Sequence, residues 1–142
     1  MIPQILTSLP SASSARLSVV IAVTVLTSLS DQDLPSLGLA ASAREQVLRL
    51  AQLTKASGLD GVVCSAHEIA ALRAQLGPDF LLVVPGIRPA GAALGDQQRV
   101  MGPAEAKAAG ASILVIGRPI TAAPDPVQAA RDVAQSLGIS GA

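Results

Sequence analysis

The sequence is poor in residues that mark several classes of protein. Of 142 residues, one is phenylalanine (Phe80) and none is tryptophan or tyrosine. Charged residues make up 14%, against a usual share of about a quarter, and acidic and basic residues balance at ten each. The sequence has no cluster of basic residues of the kind that binds a nucleic-acid backbone or an anionic membrane surface. We therefore expect neither nucleic acid nor membrane as a partner.

Cysteine and histidine are almost absent. The lone Cys64 excludes an internal disulfide and a cysteine metal cage, which fits a cytoplasmic protein. It ends the apolar run 61–64 and is interpreted as a buried, inert thiol. His67, the only histidine, falls in the first turn of a predicted helix, where a surface position is favoured over a catalytic base or metal ligand. No metal site is predicted.

Long apolar runs are also missing. Residues 18–27 superficially resemble a secretory signal, but only Arg16 precedes them as a charge and no clean cleavage site follows. No stretch approaches the ~18 residues that a membrane helix needs. Because the run is rich in β-branched residues, it is interpreted as a buried strand.

What the sequence does contain is a repeated strand-and-helix pattern. Ser42 and Glu45 form a capping-box pattern at the head of one helix, and glycines end several others. The predicted strands are 19–25, 61–64, 80–84 and 112–116, and the predicted helices are 42–57, 66–76, 103–109 and 125–137. Asp31 and Asp33 fall in a polar loop and are interpreted as solvated, not as an acid/base pair.

Four βα units predict an α/β fold with parallel strands and right-handed crossovers, which is half of an eight-fold TIM barrel. We expect an atypical N-terminal segment over 1–17, a half-barrel phosphate-binding domain over 18–138 and a tail over 139–142. The first and last strands would be open edges, inviting pairing with another copy or with a missing half. An open doubly wound sheet is the alternative.

Two strand ends carry the same short motif. Val84 to Pro89 reads VPGIRP, and Val115 to Pro119 reads VIGRP, so each strand delivers a glycine and then an arginine. Arginine matches phosphate oxygens with a fork of donors, and glycine lets a backbone amide come close. Since ligands gather at the carboxyl ends of parallel strands, the motifs predict a phosphate site. A turn with a solvated arginine is the competing interpretation.

The strings at 21–28, 58–65, 85–89, 95–97 and 116–120 resemble, in order, the C-terminal half of orotidine 5'-phosphate decarboxylase. The resemblance runs from about residue 18 to about residue 135. It implies a lyase of pyrimidine (UMP) biosynthesis, a cytoplasmic homodimeric TIM barrel. This enzyme converts orotidine 5'-monophosphate (OMP) to uridine 5'-monophosphate (UMP) and carbon dioxide without a cofactor.

The resemblance also implies substrate-binding roles for five residues. Thr27 matches a hydroxyl residue near the pyrimidine ring, Arg88 the arginine of the proline-glycine-isoleucine-arginine loop, and Gln97 the glutamine of a mobile phosphate-gripping loop. Gly117 matches the glycine whose amide holds the 5'-phosphate, and Arg118 the arginine whose side chain does so.

The family's Asp-x-Lys-x-x-Asp motif is absent. The chain has two lysines, Lys55 and Lys107, and neither is in a matching setting, so no catalytic residue is assigned and the isolated chain is expected to be inactive. Residues 1–17 do not match the family's preceding helix, which suggests a truncated, mis-started or fragmentary gene product. Two alternatives stay open: a non-catalytic nucleotide-binding homodimer of half-barrels, and a related phosphosugar decarboxylase or aldolase.

Overall fold

Four parallel strands form the centre of the protein. The computed structural model describes residues 18–89 and 101–139, so Gln97, which the resemblance assigns to a phosphate-gripping loop, lies outside the described residues. The strands are β1 (Ile21–Val23), β2 (Gly61–Val63), β3 (Leu81–Val84) and β4 (Ile113–Leu114). They pair in chain order and every pair is parallel, which confirms the predicted succession of βα units.

α-Helices follow each strand. They are α1 (Ala43–Ala56), α2 (Ile69–Leu76), α3 (Pro103–Ala109), α4 (Arg118–Thr121) and α5 (Pro126–Ser136). The predicted capping box is confirmed at α1, where Ser42 Oγ accepts the Glu45 amide at 3.3 Å and the Glu45 carboxylate accepts the Ser42 amide at 3.0 Å. At α5, Asp125 accepts the Gln128 amide at 3.0 Å.

The structure differs from the sequence prediction at the sheet edges. β1 and β4 are shorter than the predicted runs 19–25 and 112–116. Each has one strand neighbour among the described residues, so only one side of its backbone is held by a ladder. The pairing nevertheless continues past both strands, because Thr24 N donates to Val63 O at 3.3 Å and Val115 N donates to Val84 O at 2.9 Å.

Two short helical segments were not predicted, and one predicted helix is divided. Leu34–Leu37 forms a 3₁₀ helix inside the loop that was expected to be only polar, with Leu34 buried and Pro35 in its first turn. The predicted helix 66–76 begins as a separate 3₁₀ turn, Ala66–Glu68. Residues 118–121 form α4, for which no helix was predicted.

The hydrophobic core lies between one face of the sheet and helices α1 and α2. Strand residues at a spacing of two point to this side, and those of β2 and β3 are fully buried. The helices contribute equally buried side chains, and the cluster is continuous. Its fully buried members include Val47, Ala51, Val62, Cys64, Ile69, Leu72, Leu82 and Val84, so the buried thiol prediction is confirmed.

The opposite face of the sheet is exposed to solvent at its two outer strands, β1 and β4. The strand register places Val23, Val63, Val83 and Ile113 in one row across this face, and Val115 continues the alternation beyond β4. Val83, at the centre, is 8% exposed, whereas Val23 is 58%, Ile113 49% and Val115 46% exposed. We call these five residues the open sheet face.

Candidate phosphate site at the carboxyl ends of the strands

Three of the predicted site positions lie at one edge of the sheet. Thr27 is four residues beyond the end of β1, Arg88 four beyond β3, and Arg118 four beyond β4. Because all strands are parallel, these positions follow the same, carboxyl, edge. Thr27 is buried, Arg88 is half-buried and Arg118 is exposed. Gln97 lies outside the described residues.

Arg88 is held at the base of the segment that contains Gln97. Its amide donates to Met101 O at 3.0 Å, and its Nη1 donates to Ile87 O at 3.0 Å. Ile87 is fully buried and pairs with Met101 in a parallel bridge. The chain therefore leaves for residues 90–100 and returns from them beside Arg88.

Gly117 and Arg118 form the start of α4. The Gly117 carbonyl accepts the amides of Ile120 at 2.8 Å and Thr121 at 3.1 Å, which fixes the turn after β4. A Cβ added to Gly117 would meet no atom within 4 Å. The space beside this backbone is therefore open, and a ligand atom has room to approach it.

The end of β2 brings two buried polar residues to the same edge. Ser65 is fully buried and Glu68 is 3% exposed, and the Ser65 amide donates to the Glu68 carboxylate at 2.7 Å. Ser65 Oγ accepts the His67 amide at 3.3 Å, and His67 itself is exposed. The sequence analysis missed Glu68, although the spacing of Ser65 and Glu68 is that of a capping box.

Asp31 and Asp33 act as local hydrogen-bond acceptors. Asp31 accepts the Ala43 amide at 2.7 Å. Asp33 accepts both the amide and the hydroxyl of Ser30 at 2.7 Å, and these bonds, the amide first, lower the pKa of its carboxyl below the ordinary value. A carboxylate held ionised in this way orders the loop and is a poor general acid.

The two lysines lie at the other end of the fold. Lys55 Nζ donates to Leu76 O at 2.8 Å, at the last residue of α2. Lys107 Nζ donates to Leu137 O at 2.6 Å, at the end of α5. Helices that follow parallel strands run back across the sheet, so their last turns lie at the amino ends of the strands. Both ammonium groups are therefore fixed away from Arg88 and Arg118.

The described residues contain no group of three or more histidine, cysteine or acidic side chains arranged to hold a metal ion. None of the helices in residues 18–89 and 101–139 has the length and apolar character that crossing a bilayer requires.

A parallel sheet whose strands are each followed by helices defines the class of (β/α) proteins, and two arginines and a glycine follow its carboxyl edge. The family model described as "Orotidine 5'-phosphate decarboxylase / HUMPS family" matches residues 3–133. The chain belongs to this family. The match begins within the segment 1–17, further toward the N-terminus than the resemblance noted in the sequence.

Two curated relatives illustrate the similarity. The chain is 60% identical over 121 residues to orotidine 5'-phosphate decarboxylase of Shewanella sediminis, covering 85% of this chain and 52% of that protein. It is 62% identical over 113 residues to the decarboxylase of Nitrosococcus oceani, covering 80% of this chain and 49% of that protein. The chain thus spans about half the length of the curated relatives it matches.

The fold is shared with a solved decarboxylase. The crystal structure of orotidine 5'-phosphate decarboxylase from Lactobacillus acidophilus superposes with a TM-score of 0.71 at 40% identity, over 89% of this chain and 52% of that one. Because such neighbours are TIM barrels, the prediction of a partial barrel is confirmed.

Proposed function

We propose that this chain is the phosphate- and pyrimidine-binding half of an orotidine 5'-phosphate decarboxylase, acting in the cytoplasm on OMP with UMP as product. The observation that carries the proposal is that Arg88 and Arg118 each follow the end of a strand by four residues, and that these strands, β3 and β4, are adjacent in the sheet. Two guanidinium groups and the open backbone at Gly117 suit a phosphate monoester, which presents several anionic oxygens.

The other proposed contacts follow from the same edge. Thr27 lies beyond β1 and would contact the pyrimidine ring. Gln97 belongs to the segment that leaves and rejoins the fold beside Arg88, and it would reach the phosphate from there. A ligand held at both its phosphate and its base would be oriented for chemistry at the ring.

Decarboxylation itself needs a group that this chain does not bring to the edge. Loss of carbon dioxide leaves an electron pair on the ring carbon, and a proton donor must reach that carbon. Lys55 and Lys107, the chain's only lysines, are held by carbonyls at the ends of α2 and α5. The chain would therefore bind the substrate and rely on another half-barrel for the donor.

The position of these lysines also favours a second candidate function, a nucleotide-binding module without catalysis. Both functions use the same phosphate contacts. They differ in whether a partner that supplies a proton donor restores turnover of OMP.

Binding is tested by titrating UMP into the purified chain by calorimetry. Loss of the Arg118 or Arg88 side chain is expected to weaken UMP binding about 10-fold or more, since a charge-assisted hydrogen bond contributes about 1.5–3 kcal/mol. Arg49→Ala is the matched control, because Arg49 is an exposed arginine on α1. An equal loss in all three variants, or no UMP binding by the unmodified chain, would refute the proposed site.

A further inference from the structure

The turn after β2 contains a second capping box, and this one is buried. Ser65 and Glu68 have the spacing of Ser42 and Glu45 at the head of α1, and both pairs form the box. Glu45 is exposed, whereas Glu68 is 3% exposed and Ser65 is fully buried. Removing a carboxylate from water is unfavourable, and a capping box at the surface starts a helix without that cost. The burial of Glu68 therefore indicates a role beyond starting a helix.

The Glu68 carboxylate lies where the ladder between β1 and β2 stops. In the last rung, Thr24 N donates to Val63 O at 3.3 Å, and Thr24 Oγ1 donates to the same oxygen at 2.7 Å. In continued parallel pairing, the next hydrogen bond would run from the Ser65 amide to the Thr24 carbonyl. The Ser65 amide donates to the Glu68 carboxylate instead, at 2.7 Å. Glu68 thus ends the pairing of β1 with β2 at the carboxyl edge.

The chain after β1 turns directly beyond this point. Leu29 N donates to Leu26 O at 3.0 Å, and Thr27 lies within the turn that this bond closes. Continued pairing in the register of β1 and β2 would instead keep residues 25–27 extended beside residues 65–67. The end of the ladder therefore decides where Thr27 lies.

We propose that Glu68 is a positioning residue for the base-binding part of the site. By accepting the Ser65 amide, its carboxylate ends the pairing of β1 with β2 and sets the turn that carries Thr27. The inference rests on the proposed function, because it deepens the role given there to Thr27. Arg88 and Arg118 follow β3 and β4, on the other side of β2, so the phosphate contacts do not depend on this turn. Glu68 should therefore affect recognition of the base and not of the phosphate.

The two parts of the ligand are separated by titrating UMP and ribose 5-phosphate, which has the phosphate but no base, into each variant by calorimetry. Glu68→Met removes the acceptor and is expected to raise the UMP dissociation constant about 5-fold or more, the scale of one lost hydrogen bond, with ribose 5-phosphate unchanged. Glu68→Gln keeps an acceptor oxygen and should restore UMP affinity. Glu45→Met is the matched control, because it removes the acid of the exposed capping box, and it should leave both affinities unchanged.

Two outcomes of this titration would overturn the proposal. The first is an unchanged UMP affinity in Glu68→Met. The second is an equal loss for UMP and ribose 5-phosphate, which would show that Glu68 supports only the fold. Circular dichroism establishes that each variant is folded. Glu68→Asp, which keeps the charge but is one methylene shorter, takes the place of Glu68→Met if that variant does not fold.

Amide hydrogen exchange, followed by NMR, tests the same role without a ligand. The Leu29 amide closes the turn, so it should exchange faster in Glu68→Met than in the unmodified chain, and Glu45→Met should leave it unchanged. Unchanged exchange at Leu29 in Glu68→Met would contradict the role of Glu68 in setting the turn. Because this measurement needs no nucleotide, it decides that role separately from UMP binding by the unmodified chain, on which the proposed function depends.

Discussion

Arg73 on α2 donates two hydrogen bonds to the carbonyl of Gly110, the residue that ends α3. Its Nε donates to this oxygen at 2.9 Å and its Nη2 at 2.7 Å. Nη2 also donates to Ser112 Oγ at 2.7 Å, and that hydroxyl accepts the Leu82 amide at 3.0 Å. Nη1 donates to further carbonyls, those of Gly77, Pro78 and Phe80. One guanidinium therefore ties the approaches to β3 and β4 together.

Arg73→Ala is expected to destabilise the fold by about 2–4 kcal/mol, because several half-buried carbonyls lose a charged donor at once. Urea unfolding at fixed protein concentration measures this as a lower midpoint. Arg73→Lys should recover little of the loss, since an ammonium group cannot reproduce the planar fork. Arg49→Ala on α1 is expected to stay within about 0.5 kcal/mol of the unmodified chain. Equal midpoints for Arg73→Ala and Arg49→Ala would contradict this role.

Gly61 allows β2 and β3 to approach closely. A Cβ at this position would lie 2.4 Å from Leu81 O and 2.5 Å from Leu81 Cβ, and backbone cannot yield as a flexible side chain does. Gly61→Ala is therefore expected to cost about 1–3 kcal/mol as overpacking. Gly102→Ala is the comparison, because a Cβ there meets nothing within 4 Å. As Gly102 caps α3, its own cost should be near 0.5 kcal/mol. A smaller loss at Gly61 than at Gly102 would count against the close approach.

The capping box of α1 gives the fold part of its sensitivity to acid. Hydrogen bonds from the Ser42 amide and then the Ser42 hydroxyl lower the pKa of Glu45 below its ordinary value of 4.5. A group whose pKa is lower in the folded state stabilises the fold at pH above its unfolded pKa. That stability is lost as pH falls through the lower, folded pKa.

Glu45→Gln should therefore reduce the difference in thermal midpoint between pH 7 and about pH 3, because glutamine keeps the capping geometry without titrating. The control is Glu105→Gln, an exposed glutamate in the first turn of α3 for which no reciprocal capping bond forms with its N-cap Gly102. If both variants show the same pH dependence as the unmodified chain, the capping box does not contribute to acid unfolding.

Local patterns predicted the fold well where the cause is local. The capping box at Ser42 and the Asp125–Pro126 start of α5 depend on residues within one turn, and both form as expected. The strand runs were too long at β1 and β4, because strand extent depends on neighbours that a single run does not encode. The hydrogen bonds from Arg73 to the Gly110 carbonyl join positions 37 apart in the sequence, and no short motif predicts them.

In the candidate site, too, the features with a local cause were predicted and those that depend on tertiary packing were not. The repeated glycine and arginine after two apolar runs predicted which residues would follow β3 and β4, since strand direction is set by the βα alternation. Burial of Glu68 beside Ser65 was missed, because a capping box normally lies at the surface and tertiary packing decided otherwise. The roles of Thr27, Arg88, Gln97, Gly117 and Arg118 stay predictions that the binding experiment addresses.

The two lysines allow a direct test of whether this chain carries its own proton donor. We expect no release of carbon dioxide from OMP by the purified chain, because Lys55 and Lys107 are bonded to helix-end carbonyls at the amino ends of the strands. Lys107→Met should leave UMP affinity unchanged, since its partner Leu137 O lies at the end of α5. Arg118→Ala separates real turnover from a contaminating enzyme. Turnover that disappears in both Lys107→Met and Arg118→Ala would show that the chain is catalytically complete.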